Sequence, residues 1–180
     1  MLNFNRIFLL YFCVMILFIV ALCVDFKMPE TSWSNQDKVV TSNTLSPSEK
    51  TIVTQHLVDQ LVENNNSYEN NVWTTLATIM LAIGMLLGSD KFSAIVSEHK
   101  GSVQAIHWIV FILFCLHLVA YYFYQLGSET LLSKMYAVGN DLTYYKKYAI
   151  SDVRLILNSV FDFFMFLLLS FIVDSFRHSK

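Results

Sequence analysis

The sequence predicts an all-α integral membrane protein: a four-helix bundle with four transmembrane helices and a short extracytoplasmic amphipathic helix. Of its 180 residues, 55% are hydrophobic and only 14% are charged, whereas about 25% are charged in an ordinary soluble domain. The mean hydropathy is +0.49. The apolar residues also gather into four long stretches separated by polar segments.

These four stretches have about the length that a membrane-crossing helix requires. A helix needs about 20 mostly apolar residues to cross a bilayer core about 30 Å thick. The stretches cover residues 7–24, 72–88, 103–125 and 153–173. The first stands where a signal peptide would stand, but its apolar run is longer than a usual signal core, and Leu22 before Cys23 disfavours both cleavage and lipidation. We therefore expect an uncleaved anchor.

Lysine and arginine near the ends of the spans predict the orientation. With the N-terminus in the cytoplasm, the inner segments (1–6, 89–102 and 174–180) hold five basic residues in 27 positions. The outer segments (25–71 and 126–152) hold six in 74. This density predicts that both termini are cytoplasmic and that the chain lies in a plasma membrane, of the bacterial inner-membrane type.

Charge and cysteine usage argue against several classes of function. A net charge of −2 gives no basic face for nucleic acid. Cys13, Cys23 and Cys115 all lie in apolar stretches with no CxxC pair, so we expect neither disulfides nor thiol redox chemistry. HExxH and GxSxG patterns are absent from the sequence. We therefore expect a non-enzymatic protein without metal or cofactor.

The segment 25–71 contains the predicted amphipathic helix, over residues 46–63. Ser46 as N-cap, Pro47 at the first helical position and Glu49 at the third form a capping box. The helix places Val53, Leu57 and Leu61 in one apolar stripe. The asparagine run 64–66 is expected to end it. We call residues 46–63 the arm; its stripe either packs on the chain's own bundle or binds a partner or a sister subunit.

The second outer loop, 126–152, is expected to lie at the membrane surface. Ser128 and Gly139 bound a short predicted interfacial helix, whose apolar side chains would face the lipid boundary. A cluster of aromatic and basic residues follows, a combination that is typical of the lipid headgroup level. The predicted interface anchor consists of Tyr144, Tyr145, Lys146, Lys147 and Tyr148.

The fourth stretch carries a polar face inside an apolar run. Arg154, Asn158 and Asp162 are spaced i, i+4, i+8, and Ser170 falls two turns further on the same side. A charge at the bilayer centre costs at least about 2.5–3.5 kcal/mol. Asp162 is therefore expected to face protein or water. The aromatic side chains on the opposite side suit lipid or helix packing.

The third stretch offers a partner for Asp162. His117 and Tyr121 share one face, and His117 lies about 21 Å from the inner end of its helix, against about 17 Å for Asp162. Three alternatives follow for the pair. It can be a hydrogen bond within the bundle, where burial can also keep Asp162 neutral, or part of a water-filled pathway or pore. A metal or catalytic site is the third, although one His and one Asp do not make a ligand set.

Small residues line one side of the second stretch, at Ala77, Gly84 and Gly88. Such residues let helix backbones approach closely in lipid. Close packing within the bundle and self-association are both open. Together these features predict a homo-oligomeric sensor or adaptor subunit of the signalling, immunity or defence type. In that prediction, the outer arm is coupled to a separate cytoplasmic effector; the alternative is a small ion or proton channel lined by the fourth helix.

Overall fold

The computed structural model describes residues 4–25, 45–88, 100–140 and 142–178. Within these ranges the regular elements are all helical, which confirms the all-α class. They are listed here in chain order: α1 (Phe4–Asp25), α2 (Pro47–Gly88), α3 (Lys100–Ala137), α4 (Leu142–Tyr145), a 3₁₀ turn (Lys146–Tyr148) and α5 (Asp152–His178).

Two stretches of the described chain are long and apolar enough to cross a membrane. They are Val103–Ala137 in α3 and Thr143–Ser175, which contains most of α5, with mean hydropathies of 2.1 and 2.2. A shorter apolar helix covers Arg6–Leu22. Residues 72–88 form the C-terminal part of α2. Two of the four predicted spans are therefore long and apolar enough to cross a membrane, and the other two are a proposal.

The prediction that the arm helix ends at Glu63 is wrong, because α2 continues through the asparagine run to Gly88. Asparagine weakens helices mainly when its side chain competes for nearby backbone groups. Here Asn64 Nδ2 donates instead to the backbone oxygen of Tyr124 and to Ser128 Oγ on α3, at 2.9 and 2.8 Å. The side chain that was expected to end the helix therefore ties α2 to α3.

The prediction of a separate interfacial helix beginning at Ser128 is also wrong, because α3 runs unbroken from Lys100 to Ala137. Gly127 lies inside it, where a side chain would crowd α2: an added Cβ would lie 3.2 Å from Asn64 Oδ1. The end of α3 agrees with the prediction. Gly139 adopts a positive φ of 93°, and its N–H donates to the carbonyl of Tyr136 at 2.9 Å, as at many helix C-termini.

The chain divides into two compact units. The first unit contains α1 up to Ala21, α2 from Asn71, α3 up to Val119 and α5 from Ile156. The second contains α2 up to Asn70, α3 from Ala120, and the chain from there to Leu155 at the start of α5. Both α2 and α3 thus contribute residues to each unit.

The core of the second unit is built by the arm. Leu57 and Leu61 on α2 form a buried cluster with Met135 and Val138 at the end of α3. The partly buried Val53 packs against this cluster. The arm stripe is therefore covered by the chain's own residues, which is the first of its two predicted alternatives. Leu57 and Leu61 offer no free surface for binding a partner.

The same cluster corrects the prediction that the apolar side chains of the interfacial helix between Ser128 and Gly139 face the lipid boundary. Three of these side chains are Leu131, Leu132 and Met135. Met135 is fully buried, and Leu131 and Leu132 pack against the arm cluster. The reason is that α2 extends alongside α3, so these side chains find an apolar protein surface rather than lipid.

The predicted capping box begins α2. Glu49 Oε2 accepts from the backbone N–H of Ser46 at 2.7 Å, and the Glu49 N–H donates to Ser46 Oγ at 3.3 Å. These two bonds satisfy two N–H groups that a helix start otherwise leaves without partners. The hydrogen bond from the Ser46 side chain, and after it the one from the Ser46 backbone, lower the pKa of Glu49 below its ordinary 4.5.

This cap is expected to make the start of the arm sensitive to acid. A carboxylate with a lowered pKa stabilises the fold above its ordinary value, and this contribution is lost as the pH falls through the lowered pKa. Amide hydrogen exchange at residues 49–52 should therefore accelerate in acid, below about pH 4.5, beyond the intrinsic pH dependence of exchange. In Glu49→Gln these amides should exchange faster at neutral pH and show little further loss of protection in acid. Equal protection in both proteins at pH 7 would contradict the prediction.

Candidate functional site

Three helices of the first unit bring polar side chains together at Asp162. His117 Nε2 on α3 lies 3.0 Å from Asp162 Oδ2 on α5. The other ring nitrogen, Nδ1, lies 3.2 Å from Thr75 Oγ1 on α2. Asp162 is 1% exposed and His117 7%. The structure thus joins the pair that their depths along the two helices had suggested, and adds Thr75.

Asp162 lies on the buried side of α5. Leu155, Ser159, Asp162, Phe166, Leu169 and Val173 are all buried, and they follow each other at alternating spacings of four and three residues, as on a helix packed against helical neighbours. Phe161, Phe164, Leu168 and Phe171, predicted for the opposite side, are exposed. The carboxylate therefore occupies a core position of α5. Of the phenylalanines around it, Phe161 and Phe164 are exposed, whereas Phe163 and Phe166 are buried.

The Thr75–His117–Asp162 group can hold or pass a proton, because it combines a hydroxyl, an imidazole and a carboxylate. His117 Nε2 and the carboxylate of Asp162 lie within ion-pair distance. The Thr75 hydroxyl can donate to a bare Nδ1 or accept from a protonated one, because a hydroxyl does both. Among the described residues, no three His, Cys, Asp or Glu side chains are grouped to hold a metal ion.

Arg154 does not share the Asp162 site. In the second unit its guanidinium makes an ion pair with Glu69 at 2.7 Å and donates to Asn65 Oδ1 at 3.4 Å. It also lies 5.6 Å from the ring centre of Tyr68. Arg154 is therefore not one of the buried residues of α5, which follow each other at alternating spacings of four and three.

Two further members of the predicted polar face have other surroundings. Tyr121 is fully buried in the second unit, where its ring centre lies 5.2 Å from that of Tyr68. Asn158 on α5 is half-buried. The residues of the predicted face therefore belong to both units of the chain, and His117 and Asp162 are in contact within the first.

Ser170 connects three helices of the first unit. Its hydroxyl is hydrogen-bonded to that of Tyr11 on α1 at 3.2 Å, and its backbone oxygen lies 3.1 Å from His107 Nε2 on α3. Neither Tyr11 nor His107 is among the site residues predicted from the sequence. Their signal was weak, because a lone tyrosine or histidine in an apolar run is also common near the headgroups.

The small residues of α2 make no close contact inside the described chain. Gly84 and Gly88 have no atom within 4 Å of an added Cβ, and Ala77 is exposed. Among the described residues no neighbour packs closely on these two glycines. Close packing within the bundle and self-association through this side of α2 both stay predictions.

The predicted interface anchor forms α4 and the 3₁₀ turn. Lys147 Nζ lies 3.9 Å from the ring centre of Tyr144 and 4.8 Å from that of Tyr148. Tyr145 and Tyr148 also pack against the arm cluster, while Tyr144 and Lys146 are exposed. The cation–π contacts hold the lysine against the rings. Anchoring at the headgroup level stays a prediction for this segment.

Gly127→Ala is expected to destabilise the second unit by about 1 kcal/mol. Alanine gains up to about 1 kcal/mol over glycine in a helix, but here its Cβ would lie 3.2 Å from Asn64 Oδ1. Displacing Asn64 weakens its two bonds to α3 and outweighs that gain. Gly101→Ala is the matched control on α3, with nothing within 4 Å. Unfolding measurements that rank both variants alike would contradict the contact.

Comparison with known proteins gives no relative from which a function could be transferred. No protein-family model, no curated protein and no solved structure matches the chain.

Proposed function

We propose that this chain is a non-enzymatic multi-pass membrane protein of the sensor or adaptor type, in which α2 links the state of the arm to the polar group around Asp162. In this proposal the four apolar stretches all cross a plasma membrane, and both termini are cytoplasmic. The arm lies outside, and a separate cytoplasmic protein receives the signal. The observation that carries the proposal is that the arm and Thr75 belong to one continuous helix.

The contacts of α2 support such a link. In the second unit, Asn140 Nδ2 donates to Thr54 Oγ1 at 2.9 Å, and Asn64 donates to two oxygen atoms on α3. In the first unit, Thr75 contacts His117. Packed side chains, hydrogen-bond networks and rigid secondary-structure elements can carry coupling between distant sites. A helix without a break is one such element.

The test is whether a change in the arm reaches His117. In protein labelled with ¹⁵N-histidine and held in lipid nanodiscs, Asn64→Ala removes both bonds from Asn64 to α3. We expect the ring ¹⁵N signals of His117 to shift. Asn66→Ala is the matched control, because Asn66 belongs to the same asparagine run and is exposed. Unchanged His117 signals in Asn64→Ala, with changed signals from the second unit, would overturn the proposal.

The arm is proposed to act through contacts other than its buried stripe. Its outer side is polar and includes exposed residues such as Gln55, His56 and Asp59. A stimulus or an outer partner would therefore meet this polar side. Homo-oligomerisation belongs to the same proposal and is supported by the open side of α2 at Gly84 and Gly88, where a second copy could approach closely in lipid.

Proton conduction is the second candidate function, and the Thr75–His117–Asp162 group favours it. Intramembrane ionisable residues commonly mark ion or proton pathways. Because Asp162 is 1% exposed within a single chain, its position favours passage within one chain over a pore lined by α5 from several copies. In proteoliposomes, Asp162→Asn keeps the shape and removes the charge. Proton flux that is absent from the unaltered protein, or unchanged in this variant, would eliminate the candidate.

A further inference from the structure

His107 on α3 directs both ring nitrogens at backbone oxygen atoms of the first unit. Nδ1 lies 2.8 Å from the oxygen of Val103, one turn earlier on α3. Nε2 lies 3.1 Å from the oxygen of Ser170 on α5. The side chain is buried. A carbonyl oxygen only accepts hydrogen bonds, so both bonds form only when both ring nitrogens carry hydrogen.

The neutral ring cannot meet this requirement. Neutral imidazole has one N–H and one bare nitrogen, and only the protonated ring donates from both. A neutral His107 with its hydrogen on Nδ1 loses the bond to Ser170. With the hydrogen on Nε2, it sets a lone pair against the oxygen of Val103, 2.8 Å away. Either tautomer leaves one carbonyl contact without a hydrogen bond.

We propose that His107 is a protonation-dependent link between α3 and α5. The protonated ring joins the two helices through the carbonyl of Ser170, and the neutral ring weakens that joint. The inference goes beyond the coupling of the arm, since it concerns contacts inside the first unit alone.

His117 provides the contrast that makes His107 distinctive. Its Nδ1 faces the hydroxyl of Thr75, which can donate or accept, and its Nε2 faces the carboxylate of Asp162. Neither of these two contacts of His117 requires both ring nitrogens to carry hydrogen. Among the buried histidines that the structure describes, His107 is the one whose two ring nitrogens both face carbonyl oxygens.

Among the described residues of the first unit, α1 and α5 also carry titratable side chains. On α1, Tyr11 reaches Ser170 Oγ, and Arg6, five residues before it, is exposed. On α5, Asp174 is half-buried one turn beyond Ser170. The part of α2 that belongs to the first unit, residues 71–88, contains no titratable side chain. Variants at Tyr11 and Asp174 are therefore the controls for a change that originates elsewhere.

The test follows the His107 ring and its carbonyl partners by NMR. Protein labelled with ¹⁵N-histidine and with ¹³C at the Val103 and Ser170 carbonyls is studied in nanodiscs between about pH 5 and pH 8.5, the range in which histidine ordinarily titrates. We expect two ring N–H signals at low pH and one at high pH. The loss should coincide with a shift of one of the two carbonyl signals. If the number of ring N–H signals stays the same over this pH range, the proposal is overturned. It is also overturned if the ring changes while the two carbonyl signals do not shift.

Substitutions separate the link from other sources of pH dependence. The pH-dependent shift of the Val103 or Ser170 carbonyl signal should arise from the His107 ring, because only its protonated form donates to both oxygen atoms. We expect this shift in the unaltered protein and in His117→Gln, Tyr11→Phe and Asp174→Asn. His107→Gln should abolish it. A shift that persists in His107→Gln would contradict the proposal. If that variant does not fold, the NMR titration of the unaltered protein decides alone.

Discussion

Asp162→Ala is expected to lower the free energy of unfolding by about 3 kcal/mol. The carboxylate lies 3.0 Å from His117 Nε2 and is 1% exposed. Removing it leaves a buried ring nitrogen without its acceptor and leaves a cavity on the core side of α5. Steric-trap unfolding in bicelles would measure the loss.

Three further variants define the origin of that loss. Asp162→Asn retains an acceptor oxygen for His117 and should lose only about 1 kcal/mol. Asp59→Ala, on the exposed side of the arm, should change the stability by less than about 0.5 kcal/mol. A double-mutant cycle with His117→Ala should give a coupling energy of about 1 kcal/mol. Additive effects of the two substitutions would show that the contact between them contributes nothing.

The contact at Asp162 could be anticipated from two quantities, the free-energy cost of a charge in an apolar helix and the depth of each residue along its helix. The cost of an isolated charge in an apolar helix required a partner, and counting residues along two helices placed His117 near the same depth. Thr75 was missed, because threonine in such a helix commonly bonds to its own backbone, as Thr78 does with the oxygen of Thr74. Whether a threonine side chain bonds to its own helix or to another one depends on the groups that the neighbouring helix presents.

The length of α2 shows why the element boundaries were less predictable. Local propensity favours an end at the asparagine run, and Gly127 favours a break in α3. In the structure these two sites face each other, since Asn64 bonds to α3 where Gly127 leaves room for it. Tertiary contacts thus override local preference at both positions. One local signal did exist: beyond Leu57 and Leu61, spacings of three and four residues continue through Asn64 to Tyr68.

Leu61→Ala is expected to destabilise the second unit by about 2–5 kcal/mol. Leu61 is fully buried in the cluster with Leu57, Met135 and Val138. Truncation removes its apolar area from the core, worth about 1.5–3 kcal/mol, and leaves a cavity that helices on both sides cannot fully close. Protection of α2 amides from hydrogen exchange between residues 57 and 68 would report the loss.

Ile52→Ala is the matched control for this prediction, because Ile52 lies on the same helix and is 69% exposed. It should change stability by less than about 0.5 kcal/mol. The pair also decides between the two roles predicted for the arm stripe. If the arm stripe packs on α3, Leu61→Ala lowers the stability of the isolated protein much more than Ile52→Ala does. If the stripe instead binds a partner, both substitutions have small effects in the isolated protein. Equal protection from hydrogen exchange in the two variants would therefore support the partner-binding role of the arm stripe.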